Sequence, residues 1–154
     1  MENKIKIGVI ITDQKDRILL LKEKIQKNDK ALWNIVKGSY GDSGDENIFD
    51  CARRECLEEV GVNIEIKNFQ GCYVSQKKHS NYIMIIFTAK IKNGEPRIQK
   101  IDQQKKTNED IRDIQWFEKN DILKMKKDEF ISQRIYSIIK DWANSSKKPL
   151  IKQI

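Results

Sequence analysis

What the 154-residue chain lacks narrows it first. No apolar run approaches the roughly eighteen residues of a membrane span. The opening MENKIKIGVIITDQK has neither the apolar stretch nor the cleavage site of a secretory signal. The expectation is a soluble, cytoplasmic protein with no membrane partner. Cysteine is scarce: Cys51, Cys56 and Cys72 are odd in number and lie five and sixteen residues apart, which fits neither a disulfide framework nor a paired zinc knuckle. They read as small buried or half-buried thiols. The single histidine, His79, has no acid partner near it in sequence and reads as an exposed residue at a hairpin tip. Acidic residues are outnumbered 23 to 30, a net charge of +7 that suits anionic partners such as nucleotides, polyphosphates or RNA but specifies none of them. There are no internal repeats.

What is present arrives in periodic blocks. KIKIGVIIT (4–12) and RILLLKEK (17–24) flank a turn-like tetrad and read as a hairpin, and LWNIV (32–36) leads into a loop carrying Gly38, Gly41 and Gly44. Ile48, Ala52 and Cys56 then recur at four-residue spacing with Gly61 just beyond, which predicts a helix over roughly Asn47 to Val60 closed by a left-handed cap. Strands are expected at 63–75, 81–91 and 110–118, with 92–98 a turn opening a further short strand. The polar stretch 98–110 reads as a loop long enough to reach over a site. KNDILKM reads as a short helix, and Ile131, Ile135, Ile138 and Trp142 recur at helical spacing as core. This order describes one α/β domain over 1–143, a mixed sheet with helices packed on its faces, followed by a flexible tail at 144–154.

The chemistry concentrates in RECLEEVG. On a helix Glu55, Glu58 and Glu59 fall within about a third of the circumference, where like charges repel. A hard divalent cation removes that conflict, and Mg²⁺ is commonly held by one or two carboxylates with positions left for substrate phosphates. On the glutamates alone, a solvated acidic face is the commoner explanation.

The glutamates do not stand alone. Glu46, seven intervening residues, then Arg54, Glu55, Cys56, Leu57, Glu58, Glu59, Val60, Gly61 and Val62 resemble the signature box of the Nudix hydrolase family. Two positions depart from it. Cys56 stands where the family has an aliphatic residue, and Tyr40 stands where it has a glycine, so that with Gly38 as the equivalent the loop is two residues longer. The resemblance implies a Nudix-type α/β/α sandwich with a mixed sheet. It also implies hydrolysis of a nucleoside diphosphate linked to another moiety by metal-assisted attack of water, with Mg²⁺ or Mn²⁺ as cofactor. Carried onto matching positions, Glu58 and Glu59 are the principal metal ligands, with the Gly38 carbonyl. Glu55 is a ligand or a base orienting water, and Arg54 pairs with Glu46 or Glu58. Glu109, with Asp110 as the neighbour able to replace it, is the acid expected from a late loop. The implied partner is a small nucleotide or nucleoside diphosphate derivative. The alternatives are an RNA 5′ end as substrate and a Nudix-fold binding module without turnover; a homodimer is left open.

Other residues are weighed and set lower. Trp33, Tyr73 and Phe87 are of a type that stacks on bases, but each reads as core. Lys37, Lys100, Lys105 and Lys106 are equally placed by sequence to meet phosphate.

Overall fold

The computed structural model describes residues 2–45, 47–144 and 150–154. Its central strand is β1 (Glu2–Thr12), buried without interruption from Ile7 to Thr12 because both of its faces are covered. Side chains alternate across a strand, so Ile7, Val9 and Ile11 enter one apolar layer and Ile10 the other. Strands β2 (Ile18–Glu23), β3 (Leu32–Asn34), β4 (Val36–Ser39), β5 (Asn63–Lys77), β6 (Ser80–Asn93), β7 (Ile111–Phe117) and β8 (Ile151–Gln153) complete an eight-stranded sheet. It runs β3-β2-β1-β6-β5-β8, with β4 paired to β1 and β7 to β2. The β1–β6 and β5–β8 pairs are parallel and the others antiparallel, so the sheet is mixed.

Helix α1 (Ile48–Val60) lies on one face and buries Cys51, Ala52, Cys56 and Val60 against Ile7, Val9 and Leu21. Helix α4 (Gln133–Asn144) covers the other with Ile135, Ile138, Ile139 and Trp142 against Ile10, Leu20 and Ile86. Between β6 and α4 come α2 (Ile101–Thr107), β7 and α3 (Lys119–Lys124). The result is an α/β/α sandwich. Among the described residues no helix is long and apolar enough to cross a membrane.

The sequence expectation holds closely at α1. Asn47 accepts hydrogen bonds from the Phe49 and Asp50 amides at 3.0 and 2.9 Å, and Gly61 caps the far end at φ 71°. Trp33, Tyr73 and Phe87 are core, and His79 is exposed at the β5–β6 turn.

Elsewhere the structure refines or corrects what was expected. The stretch 98–110 is a helix over Ile101–Thr107, held by the buried Gln104 instead of by an apolar face. Residues 95–100 form no strand; the chain turns at Gly94, where φ is 98°, and continues irregularly into α2. The expected β1–β2 hairpin does form, with a single register pair, Thr12 with Ile18, while β2 takes most of its pairing from β7. Of the expected tail at 144–154, Asn144 closes α4, residues 145–149 lie outside the described residues, and Ile151–Gln153 adds a parallel edge strand to β5. Ile131 is buried as expected but precedes α4, its amide donating to the Trp33 carbonyl at 2.9 Å.

Candidate active site

Three elements converge at one end of the sheet. Helix α1 supplies Glu55 and Glu59, each only 6% exposed, and the half-buried Glu58. The Asn108 cap of α2, at φ 57°, turns the chain so that Glu109 precedes β7. Carboxylate oxygens of Glu55, Glu59 and Glu109 lie within 4.8 Å of one another. Glu58 lines the same cavity of about 590 Å³ with Lys6, Glu23 and Lys37.

Gly38 makes room for this. It pairs with Ile7 in the sheet, and a Cβ built there would stand 1.7 Å from Glu55 Oε1 and 1.9 Å from its Cδ. Any side chain at 38 would evict the Glu55 carboxylate, so glycine is demanded by close approach and not by an unusual backbone angle.

Arg54 ties the helix to the preceding loop. Its Nε and one terminal nitrogen donate to the two Asp45 carboxylate oxygens at 2.7 and 2.9 Å; the other terminal nitrogen reaches Glu58 Oε2 at 3.1 Å and Glu55 Oε1 at 2.9 Å. The fork geometry suits a planar guanidinium facing a carboxylate. Arg54 thus pairs with Glu58, one of its two expected partners. The other, Glu46, lies outside the described residues, and the nearly buried Asp45 takes a bidentate place not anticipated from sequence.

The late acid is held by Gln104. Its side-chain amide donates to the Gln99 carbonyl at 2.9 Å and the Ile111 carbonyl at 3.3 Å, and its oxygen accepts from the Ile111 amide at 2.7 Å. Its backbone carbonyl accepts from the Glu109 amide at 2.8 Å. Asp110, the alternative acid, is exposed and paired with Arg112.

Crowding carboxylates in a half-dry cavity raises their affinity for protons. Burial pushes Glu59 well above the carboxylate range, with Glu109, Glu55 and Glu23 adding to the effect and Lys37 opposing it. Burial also brings Glu109 to about 7, reinforced by Glu23, Glu55 and Glu58. Glu55 rises through burial, against the pull of Arg54. Buried carboxylates without a matching cation are costly, so the site calls for one. The all-oxygen donor set and the space cleared by Gly38 fit a hard divalent ion. Next to this cluster, burial pushes the Cys51 thiol up to about 12 and the Cys56 thiol well above its ordinary value, which leaves them inert.

Glu23 escaped the sequence reading. Its signal was the alternation of β2: Leu19 and Leu21 face α1, and Glu23 continues that face as a carboxylate. Asn34 Nδ2 donates to Glu23 Oε2 at 2.8 Å. Gln104 had no comparable signal, being one polar residue in a polar stretch. Of the four lysines weighed, Lys37 and Lys106 line the cavity.

A family model described as NUDIX domain matches residues 2–137. The fold is similar to a NUDIX hydrolase from Nitrosomonas europaea at 20% identity and a TM-score of 0.72, covering 97% of this chain and 94% of that one. It is also similar to a MutT protein from Methanosarcina mazei Go1 at 17% and 0.71, covering 96% and 97% of the two chains. The NUDIX domain of Shewanella oneidensis NrtR, complexed with ADP ribose, matches at 17% and 0.64, covering 92% of this chain and 86% of that one. At these identities the likeness speaks for the fold. No curated protein matches the chain by sequence.

Proposed function

The chain belongs to the NUDIX family, and on that premise we propose that it is a Mg²⁺-dependent pyrophosphohydrolase of the cytoplasm, cleaving the diphosphate link of a nucleoside diphosphate joined to another moiety. The observation that carries this reading is the convergence of Glu55, Glu59 and Glu109 within 4.8 Å in a cavity that also presents lysines. The ADP ribose bound by the Shewanella neighbour is a compound of the proposed class.

Glu55 and Glu59 would hold the cation, with Glu58 beside them. When bound, the ion supplies charge neutralisation on the phosphate oxygens and acidifies water. Glu109 faces the pair from a different element and, as a carboxylate, accepts the proton of the attacking water. Lys37 and Lys6, which line the cavity, would meet phosphate oxygens of the substrate. Arg54 fixes the rotamers of Glu55 and Glu58 by holding one oxygen of each. The water attacks one phosphorus in line and the other phosphate leaves.

The test is a panel comprising a nucleoside triphosphate, ADP-ribose, a dinucleoside polyphosphate and a nucleotide sugar, each assayed with Mg²⁺. Beside it runs the Glu58→Gln, Glu59→Gln double variant. At least one compound should be cleaved at its diphosphate link, and the double variant should lose on the order of a hundredfold or more in kcat. Cleavage that survives in the variant removes this site from the reaction.

A further inference from the structure

The carboxylate cluster has a counterpart of opposite sign. Lys37 pairs with Gly8 in the sheet, one residue out of phase with Gly38 and Ile7, and so lies on the α4 face with Lys6 and Lys4. In the parallel β1–β6 register Lys4 stands beside Tyr82 and Lys6 beside Met84, which places Tyr82 on that same face. Arg134, in the first turn of α4, sets its guanidinium 4.8 Å from the Tyr82 ring centroid. The strip thus begins in the cavity at Lys37 and Lys6 and continues about 7 Å along β1, two residues' rise, to the Tyr82–Arg134 pair.

Lys6 and Lys37 share the cavity with its carboxylates, whereas Arg134, at the outer end of the strip, has no carboxylate paired with it. Arg134 Nε is buried with no hydrogen-bond partner. Among the described residues neither Arg134, Lys6 nor Lys37 makes a salt bridge, whereas Arg54 makes three. Burial lowers the proton affinity of Lys6, with Lys37 and Arg134 adding to the effect and Tyr82 and Glu23 opposing it. A half-buried guanidinium held over an aromatic ring keeps a fixed orientation, and its planar fork is of the shape that matches two phosphate oxygens. An unpaired buried donor of this kind asks for a ligand.

We propose that Arg134, oriented by Tyr82 and continued by Lys6, forms a subsite for a phosphate lying outside the link being cleaved. The enzyme then prefers substrates with three or more phosphates in line over diphosphates ending in a neutral sugar. This rests on the hydrolase reading above and narrows its substrate class. A nucleoside triphosphate and a 5′-triphosphorylated RNA share the required chain.

The experiment compares wild type with Arg134→Met and Arg134→Lys in two measurements. The first is the ratio of kcat/KM for a nucleoside triphosphate, and for a 5′-triphosphorylated RNA, to that for ADP-ribose. Arg134→Met should lower both ratios about tenfold, the size of one charge-assisted hydrogen bond. An unchanged ratio, or a fall with RNA alone, overturns the proposal, because the shared triphosphate is what the subsite reads. The second measurement is calorimetric titration of inorganic tripolyphosphate in EDTA, which needs neither metal nor turnover. Its Kd should rise about tenfold in Arg134→Met and at least about threefold in Arg134→Lys, which keeps the charge and loses the fork. The lysine variant decides alone if the methionine variant does not fold, and an unchanged Kd in it overturns the subsite. If wild type cleaves none of the compounds, the hydrolase reading falls by itself and the titration still decides the subsite.

Discussion

Helix α1 is thirteen residues long, capped by Asn47 and Gly61, and buries Glu55 and Glu59 beside strand β4. Helix α2 is seven residues long, has no side-chain cap at its start, and delivers Glu109 two residues after its end. Both bring carboxylates to one cavity. In α1 the placement follows from helical periodicity: residues facing the sheet set the rotation, and the glutamates follow at fixed angles. In α2 it follows from one amide, since the Gln104 side chain ties the helix to β7 through two hydrogen bonds with Ile111 and to the chain before it through one with the Gln99 carbonyl. A periodic apolar stripe distributes the job over many residues, whereas a single buried polar side chain concentrates it. The two halves of the site should therefore fail differently.

Gly38→Ala strikes the α1 half and carries the largest expected effect. The new Cβ would occupy the space of the Glu55 carboxylate, and what must yield is the free end of a side chain, not backbone. Activity should fall on the order of a hundredfold through misplacement of one carboxylate. The melting temperature should move by no more than about 2 °C, since the apolar contacts of α1 persist. Activity kept within a few-fold, or a fold that melts early, would contradict the geometry.

Gln104→Leu breaks the α2 half. It strips the Ile111 amide of its acceptor and leaves the Gln99 and Ile111 carbonyls without their donor, costing about 1–3 kcal/mol. Activity should drop about tenfold because Glu109 loses its register, while α1 is untouched. Hydrogen exchange separates this from general weakening: the Glu109 and Ile111 amides should lose protection and the α1 amides should keep it. Equal loss in both regions would mean that Gln104 braces the whole fold and not one acid.

The same contrast decides what could be read beforehand. Asn47, the Ile48–Ala52–Cys56 spacing and Gly61 encode α1 locally, so its limits and the face of its glutamates were visible in the sequence. The strands β5, β6 and β7 announce themselves by apolar β-rich runs and lie within two residues of their expected limits. Helix α2 has no such record. Its one buried residue, Gln104, is stabilised by partners before and after the helix, and a polar stretch with one inward side chain reads as loop. The edge strand β8 likewise depends on what β5 leaves open, including the Leu150 carbonyl that accepts from the Cys72 amide at 2.7 Å. At the site, Glu55, Glu58 and Glu59 are fixed by spacing, whereas Asp45 and Glu23 join through loop and strand positions that no helical pattern connects. Arg134 is further removed, since only the packing of α4 on the sheet sets it beside Tyr82.

The two halves meet in the proton balance of their carboxylates. Glu109 is raised from 4.5 to about 7, and Glu55 and Glu59 are raised with it. A carboxyl that holds its proton more tightly folded than unfolded adds stability at low pH and loses it as pH climbs from the unfolded value through the folded one. In EDTA the protein should therefore lose stability between about pH 4.5 and pH 7. The contribution of the partly solvated Glu109 is on the order of 1 kcal/mol. Glu109→Gln should flatten part of that decline, and the remainder belongs to Glu55 and Glu59 on α1. Millimolar Mg²⁺ should oppose the decline in wild type by stabilising the ionised forms, and do so less in the variant, which has one oxygen anion fewer to offer. Melting curves across this range with and without metal measure both effects. A flat or rising stability in EDTA would mean that the carboxylates of α1 and of the α2–β7 junction do not crowd one another in solution, and that the cluster is not a single site.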